Sequence, residues 1–496
     1  MDVLIVGAGP AGLMLAGDLA AAGVTCAVLE RREGESNLTR AFAVHARTLE
    51  QLDARGVADE LNRTGIRLGR LRFLGGARLD LTRLPSRFNH VLITPQYETE
   101  RVLGERARAL GAEIRTGIEV IGLRQDPAGV DVAVRHRDGT TRTERAAYVV
   151  GADGVRSTVR RALGLPFPGR SAVRSVMLAD VRLSDPPSDV LTANAVGDAF
   201  AFLVPFGDGW YRVIAWNRRH QVPDDAPLDL EEIREVVRRA LGTDHGMHDP
   251  RWMSRFHSDE RQVPRYQVGR VFLVGDAAHV HSPAGGMGMN TSIQDSANLG
   301  WKLAATLGGH APEGLLETYH TERHPVGRQV LRTSGTLLRA VLTAPRVLRA
   351  ARNLGARTVT RLRPVTRRVT GAISGLDIAY PARDGAHRLA GRRAPDVPLG
   401  DGRRLYEALR TRRFVLVMPE GAAVPDSVPA GWADRVECAM LSGPSRSTVL
   451  VRPDAYIAWA TDEPHPQARA DAIEGALNAW CGAPAQTTTP QPATGR

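Results

Sequence analysis

Residues 271–290 read VFLVGDAAHVHSPAGGMGMN. An apolar strand meets an acid at Asp276, then Pro283, then Gly285, Gly286 and Gly288 ahead of Met289 and Asn290. Glycines at a helix start keep side chains out of its first turn, so bare N–H groups and the positive dipole end face outward. Such a terminus stabilises an anion, including negative charge that develops on a bound ring during reaction. A tight turn uses the same residue types, so the stretch needs a partner elsewhere in the chain.

The partner opens the chain. Residues 2–32, DVLIVGAGPAGLMLAGDLAAAGVTCAVLERR, hold an apolar strand at 3–6, then Gly7, Gly9 and Gly12. A helix follows to about Gly23, and a second strand, Thr25 to Leu29, ends at Glu30. Gly7 permits the tight turn, Gly9 lets the backbone approach a pyrophosphate, and Gly12 packs helix on sheet, with Ala11 in the same turn. Glu30 stands where a carboxylate accepts hydrogen bonds from adenosine ribose hydroxyls. That requires a free 2′-hydroxyl, so FAD or NAD fits and NADP does not. The polar loop after Glu30 leads into a helix, where an NAD dehydrogenase returns promptly to a third strand.

Two later segments repeat the strand-to-acid pattern: AAYVVGADGVRSTVRRALG, with Asp153, and the stretch containing Asp276. In this order the motifs resemble the class A FAD-dependent aromatic hydroxylases of the p-hydroxybenzoate hydroxylase fold. Within that group they are most like the aromatic polyketide hydroxylases of antibiotic biosynthesis, over about residues 1–484. The resemblance implies that Asp276 bonds the ribityl chain and that Pro283 lies near the flavin ring. Gly286, Gly288, Met289 and Asn290 would face the ring's pyrimidine edge. It further places Arg31 after the ribose acid, Arg40 at the FAD phosphates and Gln96 at the ribityl or ring region. The Val120 backbone would touch adenine, and Asp153 would serve both FAD and NAD(P)H. The residues alone leave Arg40 open as a surface cation, Gln96 as a turn residue and Asp153 as a cap for a helix starting near Ser157.

At 496 residues the chain exceeds one ordinary core. The expected fold is α/β: a Rossmann-like FAD-binding domain (1–70, 101–170 and 269–330) with an inserted β-sheet substrate domain (71–100 and 171–268). A helical connector (331–384) follows, then a β-rich unit with a closing helix, which the resemblance implies is a thioredoxin-like C-terminal domain (385–484), and a disordered tail (485–496). RSVMLADVRL, AFAFLVPF and WYRVIAWN alternate as strands with one face on a cavity. Phe202, Val204 and Trp216 are therefore candidates for substrate contact, with core packing as the alternative. Residues 331–375 read as basic helices with solvated arginines rather than a membrane surface. The C-terminal domain has no CxxC, which excludes thiol redox chemistry and leaves packing or oligomer contact, in a monomer or homodimer.

An apolar fraction of 43% with 24% charged residues describes a soluble globular protein. No apolar run reaches the roughly 18 residues of a membrane span, and the opening stretch reads as a strand, not a signal peptide. Cys26, Cys438 and Cys481 are far apart, so neither disulfides nor a metal site is indicated, which suits the cytoplasm. The net charge of +11 is nearly all arginine, Lys302 being the only lysine. Its spread along the chain and an aromatic content of 5% argue against nucleic acid, though a positive field would attract anionic NADPH.

No second GxGxxG follows a strand. The resemblance implies that NADPH or NADH binds transiently, reduces the flavin, and lets O2 form a C4a-hydroperoxide that hydroxylates an aromatic polyketide. The cofactor carries that step, so no catalytic side chain is assigned, and His279 and His281 read as structural. Inactivation of a rifamycin or tetracycline, a Baeyer–Villiger oxidation, and a non-catalytic flavin-binding partner remain as alternatives. The bare glycines argue against the last, since a pure binder need not keep a flavin face open.

Overall fold

The computed structural model describes residues 1–34, 41–72, 78–187, 191–341 and 363–485. Strand Val3–Val6 is buried at every position and lies inside a six-stranded sheet. The order is Gln267–Val268, Val271–Leu273, Tyr148–Gly151, Val3–Val6, Cys26–Glu30, Glu113–Thr116. Val3 pairs in parallel with both Cys26 and Tyr148, and Val149 with Val271. Helices and other layers cover both faces of the parallel centre, which is why Val3–Val6 and Val271–Leu273 are apolar throughout, while the edge strands Gln267–Val268 and Glu113–Thr116 carry polar residues. The register also brings the three strand-to-acid motifs out at one edge, so residues far apart in sequence become neighbours.

Helix Pro10–Ala21 opens with proline, whose missing N–H is no loss in a first turn. It packs beside helix Gly288–Leu307, where Ser296 donates to the Ala11 carbonyl at 2.8 Å. The two glycine-rich turns are thereby locked side by side.

A second, antiparallel sheet runs Thr192–Val196, Ala199–Pro205, Tyr211–Asn217, Gly169–Leu183, Met247–Gln262, His279–Val280. Its last pairing, Gln262 with His279, sews this sheet to the segment that carries Asp276. One face is covered by helix Leu230–Leu241, within a piece of chain expected to hold only strands. The signal was present in LEEIREVVRRAL. Ile233, Val236, Val237 and Ala240 share one face, Asp229 caps the start, and Gly242 ends it with φ of 90°. Ile66–Leu68 and Val91–Ile93, placed by sequence in different pieces, pair through one small sheet with Ala43–Val44.

The C-terminal region forms a four-stranded sheet, Val436–Met440, Phe414–Met418, Thr448–Val451, Ile457–Thr461, with helix Pro466–Cys481. All three cysteines are free, and burial pushes the Cys481 thiol up to about 12. This region docks through an apolar core that takes in Trp301, Ala305 and Leu315, and through charge. Arg47 reaches Glu50, Tyr406 and the Asp454 and Ala455 carbonyls, while Arg452 and Lys302 both bind Glu322. Part of the arginine excess is therefore interior, with Arg47, Arg212 and Arg323 at 0% exposure and Arg452 at 2%. Among the described residues no helix is long and apolar enough to cross a membrane, and no cluster of side chains could hold a metal ion. Arg40, most of the expected tail and residues 342–362 of the expected connector lie outside the described residues.

Candidate functional site

The first turn separates two uses of glycine. Gly7 has φ of +106°, and a Cβ there would sit 2.6 Å from the Ala152 carbonyl oxygen. A Cβ on Gly12 would lie 2.0 Å from the Gly7 oxygen, whereas one on Gly9 would meet nothing within 4 Å. The protein's own packing thus requires Gly7 and Gly12, with Ala11 buried between them and the 288–307 helix. Gly9 borders open space. Glu30, at the end of its strand, accepts from the Ala8 amide at 2.9 Å and from the Arg32 amide and Nε at 2.9 Å. Burial opposes its charge, but Arg32 and these amides outweigh burial and hold the carboxyl below its usual range. Arg31 lies with Arg32, Gly117 and Arg135 along an open groove of about 400 Å³. Val120 belongs to the neighbouring edge strand Ile118–Gln125; its side chain is in the core, so only its backbone can meet a ligand.

The second turn is built from distant pieces. Asp276 is the one exposed residue between Val271 and His279. Gly285 and Gly286 adopt φ of +89° and +62°, and a Cβ on Gly286 would press on Ala43 at 3.0 Å. Pro283 is exposed beside them. Asn290 accepts from the His45 amide at 2.8 Å and donates to the Ala43 and Gly286 carbonyls at 2.9 and 2.8 Å. Met289 packs into a core with Leu13, Met14 and Val44. The side chains of Met289 and Asn290 thus point inward and pin the loop, so any contact they make at a ring edge is through the main chain. Among the described residues no backbone carbonyl accepts from the amides of Gly288, Met289 or Asn290. Those N–H groups are what the turn presents.

Beneath the loop, Asp295 accepts from His279 Nε2 at 2.7 Å, Arg323 Nε at 2.7 Å and the Gly275 amide at 3.1 Å. Arg323 also donates to the Thr291 carbonyl at 3.2 Å. Burial disfavours the Asp295 charge, yet Arg323 and His279 hold its carboxyl low. His281 bonds the Ser282 carbonyl through Nδ1, and its Nε2 is buried without a partner. Burial depresses that imidazole to about 4, so it stays neutral near pH 7.

Asp153 caps the short helix Thr158–Ala162, taking the Thr158 and Val159 amides on Oδ2 at 2.7 and 3.1 Å. Its Oδ1 is buried and has no partner, and burial raises its carboxyl. Gln96 joins the Ala41 amide to Glu100, fastening the start of helix Gln96–Ala109 to the chain beyond Arg40.

The antiparallel sheet presents its other face toward this loop. Ala199, Ala201, Leu203, Val213 and Ala215 lie under helix Leu230–Leu241, while Phe200, Phe202, Val204, Ile214 and Trp216 alternate to the opposite side. Phe202 packs on Phe42 with ring centroids 5.5 Å apart, and the next residue, Ala43, is the one Asn290 holds. Trp216 shares a cluster with Leu338, and Leu337 lies 3.3 Å from where a Gly285 Cβ would be. Val204 is fully buried between the sheets, so it is a core residue of this wall. Phe42, Asp295 and Arg323 were missed in the sequence. The available signal was a run of polar residues, Asn290 to Asn298, that the fold buries almost completely.

Two family models match the chain: an FAD binding domain over residues 1–334, and the C-terminal domain of aromatic-ring hydroxylases over residues 387–484. A rifampicin monooxygenase from Streptomyces venezuelae is 41% identical, covering 93% of this chain and 96% of its own. The 12-dehydrotetracycline 5-monooxygenase/anhydrotetracycline 6-monooxygenase of Streptomyces rimosus subsp. rimosus is 39% identical over 98% of this chain and 99% of its own. The solved structure of the anhydrotetracycline hydroxylase OxyS from Streptomyces rimosus superimposes with a TM-score of 0.86 at 38% identity, covering 98% of this chain and 99% of that one. The chain therefore belongs to the FAD-dependent aromatic-ring hydroxylases, as a monooxygenase.

Proposed function

We propose that this monooxygenase hydroxylates an aromatic polyketide-type substrate with O2 and NAD(P)H as co-substrates. The observation that carries this reading is the contact of Phe202 with Phe42, one residue from the strand Asn290 holds, which sets an aromatic wall against the flavin loop. An apolar aromatic wall orients a ring and keeps water from it.

Two features suit FAD: the open space at Gly9 and the partnerless buried Oδ1 of Asp153. On this reading Glu30 and Arg31 hold the ribose end, the Gly9 and Ala11 turn meets the pyrophosphate with Arg40, and the Val120 backbone meets adenine. Asp276 binds the ribityl chain, Gln96 braces the same region, and Pro283 borders the ring. When bound, FAD accepts electrons from the nicotinamide and passes one atom of O2 to the substrate. The chain's part is to hold charge and exclude water. The free amides of Gly288, Met289 and Asn290 stabilise negative charge at the pyrimidine edge, with Gly286 letting the loop pack close on Ala43. Phe202 and Trp216 would position the substrate ring, and Val204 would back them.

The test is NADPH oxidation with a panel of polycyclic phenols under labelled oxygen gas. One labelled atom should enter the product ring and none should come from labelled water. Release of peroxide alone with every phenol sinks the reading. The 41% identity to a rifampicin monooxygenase favours one second reading, oxidation of a finished antibiotic. Turnover of a rifamycin in preference to simpler polycyclic phenols would select it, and an oxygen inserted into a ring C–C bond would mark a Baeyer–Villiger outcome.

A further inference from the structure

A cavity of about 450 Å³ lies away from the flavin loop, where the C-terminal region meets the start of helix Glu317–Val341. Sites for small organic ligands start at roughly 300 Å³, so there is room for three or four fused rings. Its walls are aromatic: Trp459, Trp480 and Tyr380, over an apolar base that includes Ile457 and Ala476. Trp459 and Trp480 are only half-buried, so part of each indole is open to the hollow.

The charge beneath the cavity decides the class of ligand. Arg452 lies under the walls, 5.1 Å from the Tyr380 ring and 5.7 Å from that of Trp480. Its guanidinium is already spent on carboxylates: Nη1 and Nη2 on Glu322 at 2.7 and 2.9 Å, Nε and Nη2 on Asp454 at 2.9 and 2.5 Å. A phosphate or carboxylate would find no free donor on that guanidinium. At the rim, exposed Arg383 and Glu313 add one charge of each sign, Thr318 and Thr321 donate to backbone carbonyls, and His387 pairs with Asp462. With the buried cation spent and the rim charges balanced, the hollow suits a flat aromatic molecule with no net charge.

Tyr380 joins this cavity to the flavin loop. Its hydroxyl accepts from Arg323 Nη1 at 3.2 Å, and Arg323 holds Asp295 and the Thr291 carbonyl beneath the glycines. Its ring shares a cluster with Met287, the residue before Gly288. We propose that the cavity is a second binding site for an uncharged polycyclic phenol, and that Tyr380 couples its occupancy to the flavin loop. The choice of a phenol rests on the substrate class proposed above; the site itself does not.

The experiment titrates the FAD-loaded enzyme with quinizarin, following bound ligand by equilibrium dialysis, tryptophan emission and the flavin absorbance band. Two equivalents should bind the wild type and one should bind Ala476→Trp, whose new ring fills the hollow. Should that variant fail to fold, Trp480→Leu should weaken the second equivalent at least tenfold. Tyr380→Phe should still bind two while the second no longer perturbs the flavin band. An anthraquinone sulfonate, with the same rings and a fixed charge, should bind the second site at least tenfold more weakly. One equivalent in the wild type, or two in both the wild type and Ala476→Trp, overturns the proposal. Two equivalents without NADPH-driven oxidation of any phenol would leave the site standing and remove the substrate assignment instead.

Discussion

Two glycine-rich turns open helices at the same edge of the parallel sheet, and they are held in different ways. The Gly7–Gly12 turn is local. Its critical approach, Gly12 on the Gly7 carbonyl, spans five residues, and the strand that leads into it, Val3–Val6, is wholly apolar and buried. The Gly285–Gly288 turn is held by side chains from afar: Asn290 on Ala43 and His45, Asp295 on His279 and Arg323. Apolar packing has no direction, so what it loses on truncation grows with the size of the group removed. A buried polar network is worth little as a sum but costs heavily when one member is lost.

The largest break in that comparison is Asp295→Ala. It leaves the Arg323 guanidinium, at 0% exposure, with no carboxylate. Loss of about 3–5 kcal/mol is expected, as for other broken buried pairs. Urea unfolding of the apoprotein measures it, and a change below about 1 kcal/mol would show that the network is not what holds the second turn. Asn290→Ala comes next. It removes one acceptor and two donations between the loop and the Ala43–His45 segment, for an expected loss of about 1–3 kcal/mol. FAD affinity should fall with it, because the Gly288–Asn290 amides lose their position.

Acid should separate the turns further. Burial depresses His45 and His281, both beside the second turn, from 6.5 to about 4. In the unfolded chain both take up protons as pH falls through 6.5, while the folded ones stay neutral down to about 4. The unfolded state then binds more protons, so their contribution is full above pH 6.5 and is lost as pH falls toward 4. Glu30, held below its usual range, contributes to the first turn until pH falls through the carboxylate range. Hydrogen exchange at the bonded Gly286 and Thr291 amides, corrected for intrinsic rates, should quicken in mild acid before that at the Gly7 amide. The reverse order would break the distinction.

The smallest effect on stability belongs to Gly9→Ala. Its φ of −78° suits alanine and its Cβ meets nothing, so the apoprotein should change by less than about 1 kcal/mol. Retention of FAD should nevertheless drop sharply, because the methyl group occupies the approach to the turn. Unchanged FAD affinity would remove Gly9 from the site.

Legibility followed the same division. The first βαβ unit was readable in full, since strand, turn, helix and terminal acid are all short-range and each residue type has one physical use there. Helix Leu230–Leu241 was equally short-range, with its own cap and left-handed glycine, and was missed because β-rich surroundings masked its period. The inward turn of Asn290 was not readable. Nothing in GGMGMN says that the amide will bond a strand 247 residues earlier.

By itself the sequence determined what local sterics and periodicity control: the parallel strands, the glycines that close their turns, and the acids that end them. It also determined the family, through the order of those motifs. Only the tertiary structure decided which side of each side chain faces a ligand. It turned Met289 and Asn290 into the core, spent Arg452 on two carboxylates, and set Phe42 against Phe202. The reason is that a polar side chain can be satisfied by many partners, and only the assembled fold determines which one is within reach.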